Sequence, residues 1–416
     1  MGKYGRQIKE CRMCNCDEFY NFLDMGFAPA SDSLLTEETL NEPEILFPLK
    51  IIQCKNCGLT QLSYAANPNI LYDEKYLYES SITKTGTNHF LSMADSICKK
   101  FELKSDDLAV DIGSNVGVLL SGFKNNGVKV LGIDPAPKIV EIANNRGIET
   151  WKSLFDENVV KKIVSEKGKA KVITATNVFA HIDDKKELMS GISSLIEDDG
   201  IFVVEAPYLV DLIEELEYDT IYIEHLEYLS IKPLVQFFKR YGMDLFDVER
   251  YNIHGKTIRF FVCKEGKYEI SKAVEELINI ENEKQIYSKD TLDEMRKKVE
   301  QHKKEFVDLL LKLKSGGKNI VGISAPAKGN TLLNYCKIGP EIIDHMTEKS
   351  IIKQGCYTPG MHIPIVSEDE DSYNGIDYGI IFAWNFAEEI IKNNKEFSEK
   401  GGKFIVPVSK DGIKII

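Results

Sequence analysis

Tyr222, Glu224, His225 and Tyr228 fall within the stretch YIEHLEYLS. An imidazole that titrates near neutrality, a carboxylate and phenol hydroxyls are the groups a proton-transfer site uses, although a solvated face can be equally polar. Two further sets of residues carry chemistry. CRMC supplies Cys11 and Cys14, and CKNC supplies Cys54 and Cys57. Two CxxC knuckles can fold four thiolates around one tetrahedral Zn²⁺; such a set leaves no open position, so the zinc is expected to be structural. Cys16 is a nearby thiol that can compete with Cys14. In VDIGSNVGVLL, Gly113 and Gly117 let the chain turn from a strand into a helix whose free N–H groups face a ligand. Asp111 ends that strand and Asn115 lies in the loop. Asp134 ends the next strand, where an acid is placed to bond ribose hydroxyls. The loop lacks the GxGxxG spacing of dinucleotide folds, which favours a single adenosine ligand such as S-adenosylmethionine over NAD. Asn177 and His181, in TATNVFAHIDD, close a later strand, again where open α/β sheets hold ligands.

These groups need elements to hold them, and 416 residues are too many for one ordinary core. Residues 1–68 are loop-rich around a strand–knuckle–strand, FPLKIIQCKNCGLTQLSY, and read as a small zinc-binding domain stapled by its metal. Residues 69–265 alternate strand and helix: LAVDIG, VKVLGIDP, AKVITATNVFAHI and GIFVVEAPYL predict a parallel, doubly wound sheet. Residues 266–416 begin with a Glu- and Lys-rich helical connector, expected to be solvated. A second, smaller α/β domain follows in KNIVGISAPAKGNTLLNYC, YGIIFAWNFAEEIIKNN and KFIVPV. The expected fold class is therefore α/β, with a small zinc-binding domain, a central Rossmann-like domain and a C-terminal Rossmann-like domain. The formal net charge of −13 argues against a nucleic-acid partner. No apolar run has the length of a membrane span and the N-terminus lacks a signal-like apolar region, so a cytoplasmic protein without a membrane partner is expected.

The whole chain resembles the S-adenosylmethionine-dependent C-methyltransferases of nucleotide-linked deoxysugars. The resemblance rests on both CxxC pairs, DIGSNVGVLL, NVFAHIDD, YIEHLEYLS, HGKTIRFF, SAPAKGNTLLNYC and KQGCYTPGMHIPI, in that order. It implies that Gly113, Gly117 and Asp134 cradle the methyl donor with Asn177 nearby, and that Tyr76, Tyr222, Glu224 and His225 surround the sugar. It also implies that Ser324, Lys328, Asn330, Thr331, Lys353 and Tyr357 face the nucleotide, with His254 of HGKT within reach of the pocket. A monomer is expected. Read alone, SAPAKGNT is an anion site at a helix start or a plain strand–helix turn, and it is not a Walker loop. The chain departs from many relatives at Ile223, where they carry histidine, and at Glu227, where they carry serine.

The family's chemistry gives the polar groups their expected tasks. A methyl sulfonium needs a carbon nucleophile, and a ketone at C4 of a sugar acidifies the C3 proton by delocalising the carbanion as an enolate. His225 is the candidate base, and His181 is a further candidate in the same set. Glu224 is placed to orient the base or contact a sugar hydroxyl, and Tyr76 or Tyr222 to donate to the enolate oxygen. The expected substrate is a nucleotide-linked 4-keto-6-deoxysugar, with C3 as the carbon and dTDP as the nucleotide. An O- or N-methyltransferase of a nucleotide sugar, or a non-catalytic nucleotide-sugar-binding protein, are the alternatives.

Overall fold

The computed structural model describes residues 2–72, 79, 81, 83–252, 256–369 and 371–416; Tyr76 and His254 lie outside the described residues. Its centre is a seven-stranded sheet. Thr150–Lys152, Lys129–Asp134, Leu108–Ile112, Ala170–Thr176 and Ile196–Pro207 lie side by side and parallel. The run LAVDI is buried at every position, as a strand covered on both faces must be. Thr257–Lys264 and then Met243–Tyr251 extend the sheet antiparallel. The four strands read from the sequence are parallel as expected, and this antiparallel edge lies beyond them. The link from Tyr251 to Thr257 is far shorter than the roughly dozen residues a parallel crossover needs. The strand order reverses between Leu108–Ile112 and Ala170–Thr176, which opens a crevice at their carboxyl ends.

The cysteine-bearing lobe has its own antiparallel sheet, built from Phe19–Ala28, Phe47–Cys54 and Thr60–Leu62. Its fourth strand is Glu227–Tyr228, paired with Glu227 opposite Gln61 and Tyr228 opposite Thr60. The stretch YIEHLEYLS is thus the edge of the zinc lobe's sheet, although it lies more than 150 residues further along the chain. Arg12, between two ligand cysteines, locks this junction. Its side chain is 1% exposed; Nε donates to Asp183 at 2.9 Å, and Nη1 donates to the Leu62 carbonyl at 2.8 Å.

The C-terminal sheet runs Ile365–Ser367, Met346–Glu348, Ile320–Ile323, Tyr378–Ile381 and Lys403–Val406 in parallel, closed by antiparallel Lys414–Ile415. The helix Lys289–Ser315, whose N-cap Ser288 accepts from the Thr291 N–H, precedes it. The helix is more than a solvated connector. Leu292, Met295, Val299, His302, Phe306 and Leu310 form a buried stripe at helical spacing. Tyr20 of the zinc lobe donates to Asp293 at 2.5 Å. His302 accepts from the Tyr218 hydroxyl at Nδ1 (2.8 Å) and donates from Nε2 to the Pro407 carbonyl (2.7 Å). No helix among the described residues is long and apolar enough to cross a membrane.

Candidate active site

At the central crevice, Gly113 and Gly117 are both left-handed, with φ of 67° and 78°. A Cβ on Gly113 would stand 2.4 Å from Val178 Cγ2, and one on Gly117 2.8 Å from Ile148 Cγ2, so conformation and space both require glycine. Asp134 pins the loop: Oδ2 accepts the Asn115 N–H at 3.0 Å and Oδ1 the Ala136 N–H at 2.9 Å. Each oxygen keeps a further acceptor site for a ligand hydroxyl. A glycine cradle beside a carboxylate fits an adenosyl donor. Asp111 is tied into the sheet instead, accepting the Thr174 hydroxyl at 2.6 Å, and burial raises its pKa to about 7. Asn177 is left-handed, with φ of 56°, and its N–H donates to the Glu205 carbonyl at 2.8 Å.

Asn177, His181, Thr220, His225, Glu227 and Tyr228 line one recess next to this crevice. The His181 and His225 ring centroids are 4.9 Å apart, and Tyr222 stacks obliquely on His225 at 3.9 Å. His225 Nδ1 donates to the Thr220 carbonyl at 2.8 Å. A carbonyl can only accept, so this bond fixes the neutral tautomer with its lone pair on Nε2. Burial lowers His225 to about 4, opposed by the Thr220 bond. It lowers His181 well below the usual histidine range, with His225 and Lys185 adding to the effect. The Tyr72 hydroxyl lies 3.4 Å from His181 Nδ1. The orienting group of His225 is therefore a backbone carbonyl and not Glu224. Glu224 Oε1 accepts the Ser31 N–H at 2.9 Å, and burial, then the Asp32 charge, pushes its carboxyl up to about 8.

The two departures in this stretch have different environments. Ile223 is fully buried in the apolar core. Glu227 forms an ion pair with Lys185 at 2.9 Å, with side chains 0% and 1% exposed. The Lys185 ammonium also donates to the Phe179 and Ile182 carbonyls, both at 2.6 Å. Tyr72, Ser31 and Asp32 arrive from distant parts of the chain, whereas Thr220 and Lys185 are near neighbours of His225 and His181 whose contacts local spacing does not report.

The C-terminal motif residues divide. Lys328 and Lys353 both approach the junction with the other lobes. The Lys328 ammonium lies 4.2 Å over the Trp384 ring and bonds Asn385; burial lowers it to about 8 against the pull of Asp219 and Glu217. Asp219 accepts from Trp384 Nε1 at 2.6 Å, so the two sheets are joined here. Lys353 donates to the Ala325 carbonyl at 3.0 Å, and Asn330 Nδ2 to the Ser31 carbonyl at 2.7 Å. Ser324 is left-handed (φ 66°) at the end of its strand. Thr331 points its hydroxyl back to the Ala327 carbonyl at 3.4 Å, and Tyr357 forms backbone bridges to Leu35 and Pro364.

In the N-terminal lobe the sulfurs of Cys11, Cys14, Cys54 and Cys57 all lie within 4.8 Å of one another. Cys11 and Cys57 are 3.6 Å apart and Cys14 and Cys54 3.4 Å. Tetrahedral Zn–S bonds of about 2.3 Å give an S···S edge of about 3.8 Å, so the set fits zinc. Asn56 Nδ2 donates to Cys14 Sγ at 3.5 Å. Cys16 lies outside this four-sulfur set, and its sulfur accepts the Glu18 N–H at 3.4 Å.

The chain is 35% identical to the C-methyltransferase NovU of Streptomyces niveus over 404 residues, 97% of this chain and 96% of that one. It belongs to the C-methyltransferase family. Three family descriptions match in succession: a zinc binding domain at residues 11–72, a methyltransferase domain at 89–248 and a C-methyltransferase C-terminal domain at 252–409. A ubiquinone biosynthesis O-methyltransferase of Cupriavidus pinatubonensis is 20% identical over 156 residues, 33% of this chain and 61% of that one. Among solved structures, an S-adenosylmethionine-dependent methyltransferase from Clostridium acetobutylicum aligns with 43% of this chain and 92% of its own at 13% identity and a TM-score of 0.36. The protein is an S-adenosylmethionine-dependent C-methyltransferase with a four-cysteine zinc site.

Proposed function

We propose that this C-methyltransferase acts on C3 of a nucleoside-diphosphate-linked 4-keto-6-deoxysugar, with dTDP as the nucleotide and His225 as the base. The observation that carries the reading is the His225 tautomer, with Nδ1–H spent on the Thr220 carbonyl and the Nε2 lone pair left for a substrate proton. S-adenosylmethionine supplies the electrophilic methyl group when bound. The rest is the work of the chain. A C–H bond beside a ketone is acidic enough to lose its proton to an imidazole held against it. At neutral pH a ring held near 4 is already deprotonated and can act without first shedding a proton. Negative charge growing on the C4 oxygen beside the ring then favours the imidazolium that forms. Glu224, protonated at neutral pH, can donate to an oxygen of the sugar, and Tyr222 walls the ring on one side. Asp134 and the glycine loop hold the methyl donor across the crevice, and the zinc's four thiolates hold the lobe in shape without touching the reaction. Residues 1–68 serve as the zinc-binding domain, 69–265 as the donor domain and 266–416 as the nucleotide-side domain.

The test is exchange and transfer on one panel. In deuterated water the enzyme should wash out the C3 proton of a nucleotide-linked 4-keto-6-deoxysugar. With the methyl donor present, the product should gain the mass of one methylene. Exchange at C5 moves the reaction to that carbon. Methyl transfer to a sugar whose ketone has been reduced would show that the acceptor is not a carbanion.

A further inference from the structure

The zinc-binding lobe sends one loop, residues 29–33, into the seam between the other two sheets. Ser31 is held from both sides there: its N–H donates to Glu224 Oε1 at 2.9 Å, and its carbonyl accepts from Asn330 Nδ2 at 2.7 Å. The segment bearing His225 and the helix Ala327–Cys336 thus meet on one residue. Asp32 follows it. The Asp32 side chain is 10% exposed, and the Lys353 ammonium stands 3.8 Å from Oδ1, too far for a hydrogen bond. Asp32 Oδ1, Glu224 Oε2 and Asn330 Oδ1 are all buried and have no hydrogen-bond partner among the described residues.

Three orphaned polar oxygens on and around one loop call for partners, because a buried polar atom without one forfeits its solvation. Their place is next to Glu224 on one side and Lys353 on the other, between the proposed base and the proposed nucleotide side. Charge narrows the chemistry. Lys353 already opposes Asp32, which also feels the charge of the buried Glu348, and Glu224, pushed up to about 8, is protonated at neutral pH, so the seam does not favour an anion. An anion would face both Asp32 and Glu348. A neutral group that donates and also accepts fits best, and a hydroxyl is that group. It can give its proton to Asp32 while Lys353 donates to its oxygen across the 3.8 Å gap.

We infer that Asp32, carried in from the zinc-binding lobe, is a substrate-binding residue that with Asn330 accepts hydrogen bonds from sugar hydroxyls, beside the donating carboxyl of Glu224, and so selects a hydroxylated sugar over its deoxy counterpart. This rests on the nucleotide-sugar reading above. The wild type, Asp32→Asn and Asp32→Ala are to be titrated calorimetrically with dTDP alone, with a dTDP-linked 6-deoxyhexose, and with counterparts each lacking one further ring hydroxyl. The wild type should prefer the hydroxylated sugar over one counterpart by about 10- to 100-fold, the worth of a hydrogen bond to a charged group. Asp32→Ala should abolish that preference and Asp32→Asn should reduce it. Unchanged zinc content and S-adenosylmethionine affinity show that the variants are folded, and Asp32→Asn carries the test if Asp32→Ala is not. An undiminished hydroxyl preference in the variants, as expected if water alone fills the seam, overturns the role of Asp32 and leaves the substrate reading intact. Weaker binding of dTDP itself in the variants puts Asp32 on the nucleotide and overturns the assignment to the sugar. A wild type that binds dTDP but shows no preference among the sugars overturns the assignment as well. A wild type that binds none of the compounds overturns the inference and the substrate reading together.

Discussion

His225 illustrates how one backbone contact can define a side chain's chemistry. With Nδ1 committed to the Thr220 carbonyl, Nε2 is the atom left to take a proton. His225→Ala and His225→Asn should each lower turnover by at least about a hundredfold, the lower end of what a positioned base contributes, while S-adenosylmethionine binding by calorimetry stays as in the wild type. Near-normal turnover would remove His225 from the reaction. The pH dependence follows from the same environment. The base must be neutral, and burial keeps it so down to about 4. Glu224 donates only while protonated, up to about 8. The rate kcat/KM should therefore be flat between these limits and fall above pH 8. Glu224→Gln, which keeps a donor without a titrating proton, should lose the alkaline fall. An alkaline limb that persists in that variant assigns it to another group.

At the scale of elements, the strand Glu227–Tyr228 matters most, because it ties the recess to the knuckle lobe. Arg12 reinforces the link from between Cys11 and Met13. The donor cradle, by contrast, is built wholly from the central sheet and its loops. Cys54→Ser/Cys57→Ser should therefore lose zinc and lose methyl transfer by about a hundredfold, the scale of a small misplacement of reacting groups. Its affinity for S-adenosylmethionine should be retained. Loss of donor binding in parallel with zinc would mean that the lobe supports the whole molecule and not the recess alone. The strand–loop–helix alternation behind the donor cradle was legible, since apolar runs ending at Asp111 and Asp134 have one reading in an α/β chain. The antiparallel edge was less legible, because the direction of Thr257–Lys264 is set by the short link after Tyr251 and not by its apolar pattern. The buried stripe of Lys289–Ser315 was hidden under its Glu- and Lys-rich composition.

At the scale of the molecule, one apolar core runs through the zinc lobe, the central sheet and the C-terminal sheet, and their junctions carry specific polar contacts. His302 is one: it uses both ring nitrogens to bond Tyr218 and Pro407, holding the long helix to the central and C-terminal sheets. His302→Ala should destabilise the protein by about 1–3 kcal/mol for each buried group left unpaired, read as a lower urea midpoint. No change in midpoint would mean water replaces the ring. The sequence by itself determined the local chemistry: the CxxC pairs, the glycine loop, the acid twenty-odd residues after it, and the polar stretch around His225. Such features depend on neighbours a few residues apart, so spacing alone reports them. Only the tertiary structure decided that Thr220 orients His225, that Lys185 neutralises Glu227, and that Ser31 and Asp32 enter a seam with Asn330 and Lys353. Ser31 and Asn330 are 299 residues apart, and even Thr220 and His225, five apart, meet through a turn that local periodicity does not report, so spacing alone cannot say which group will fill a buried group's hydrogen bonds.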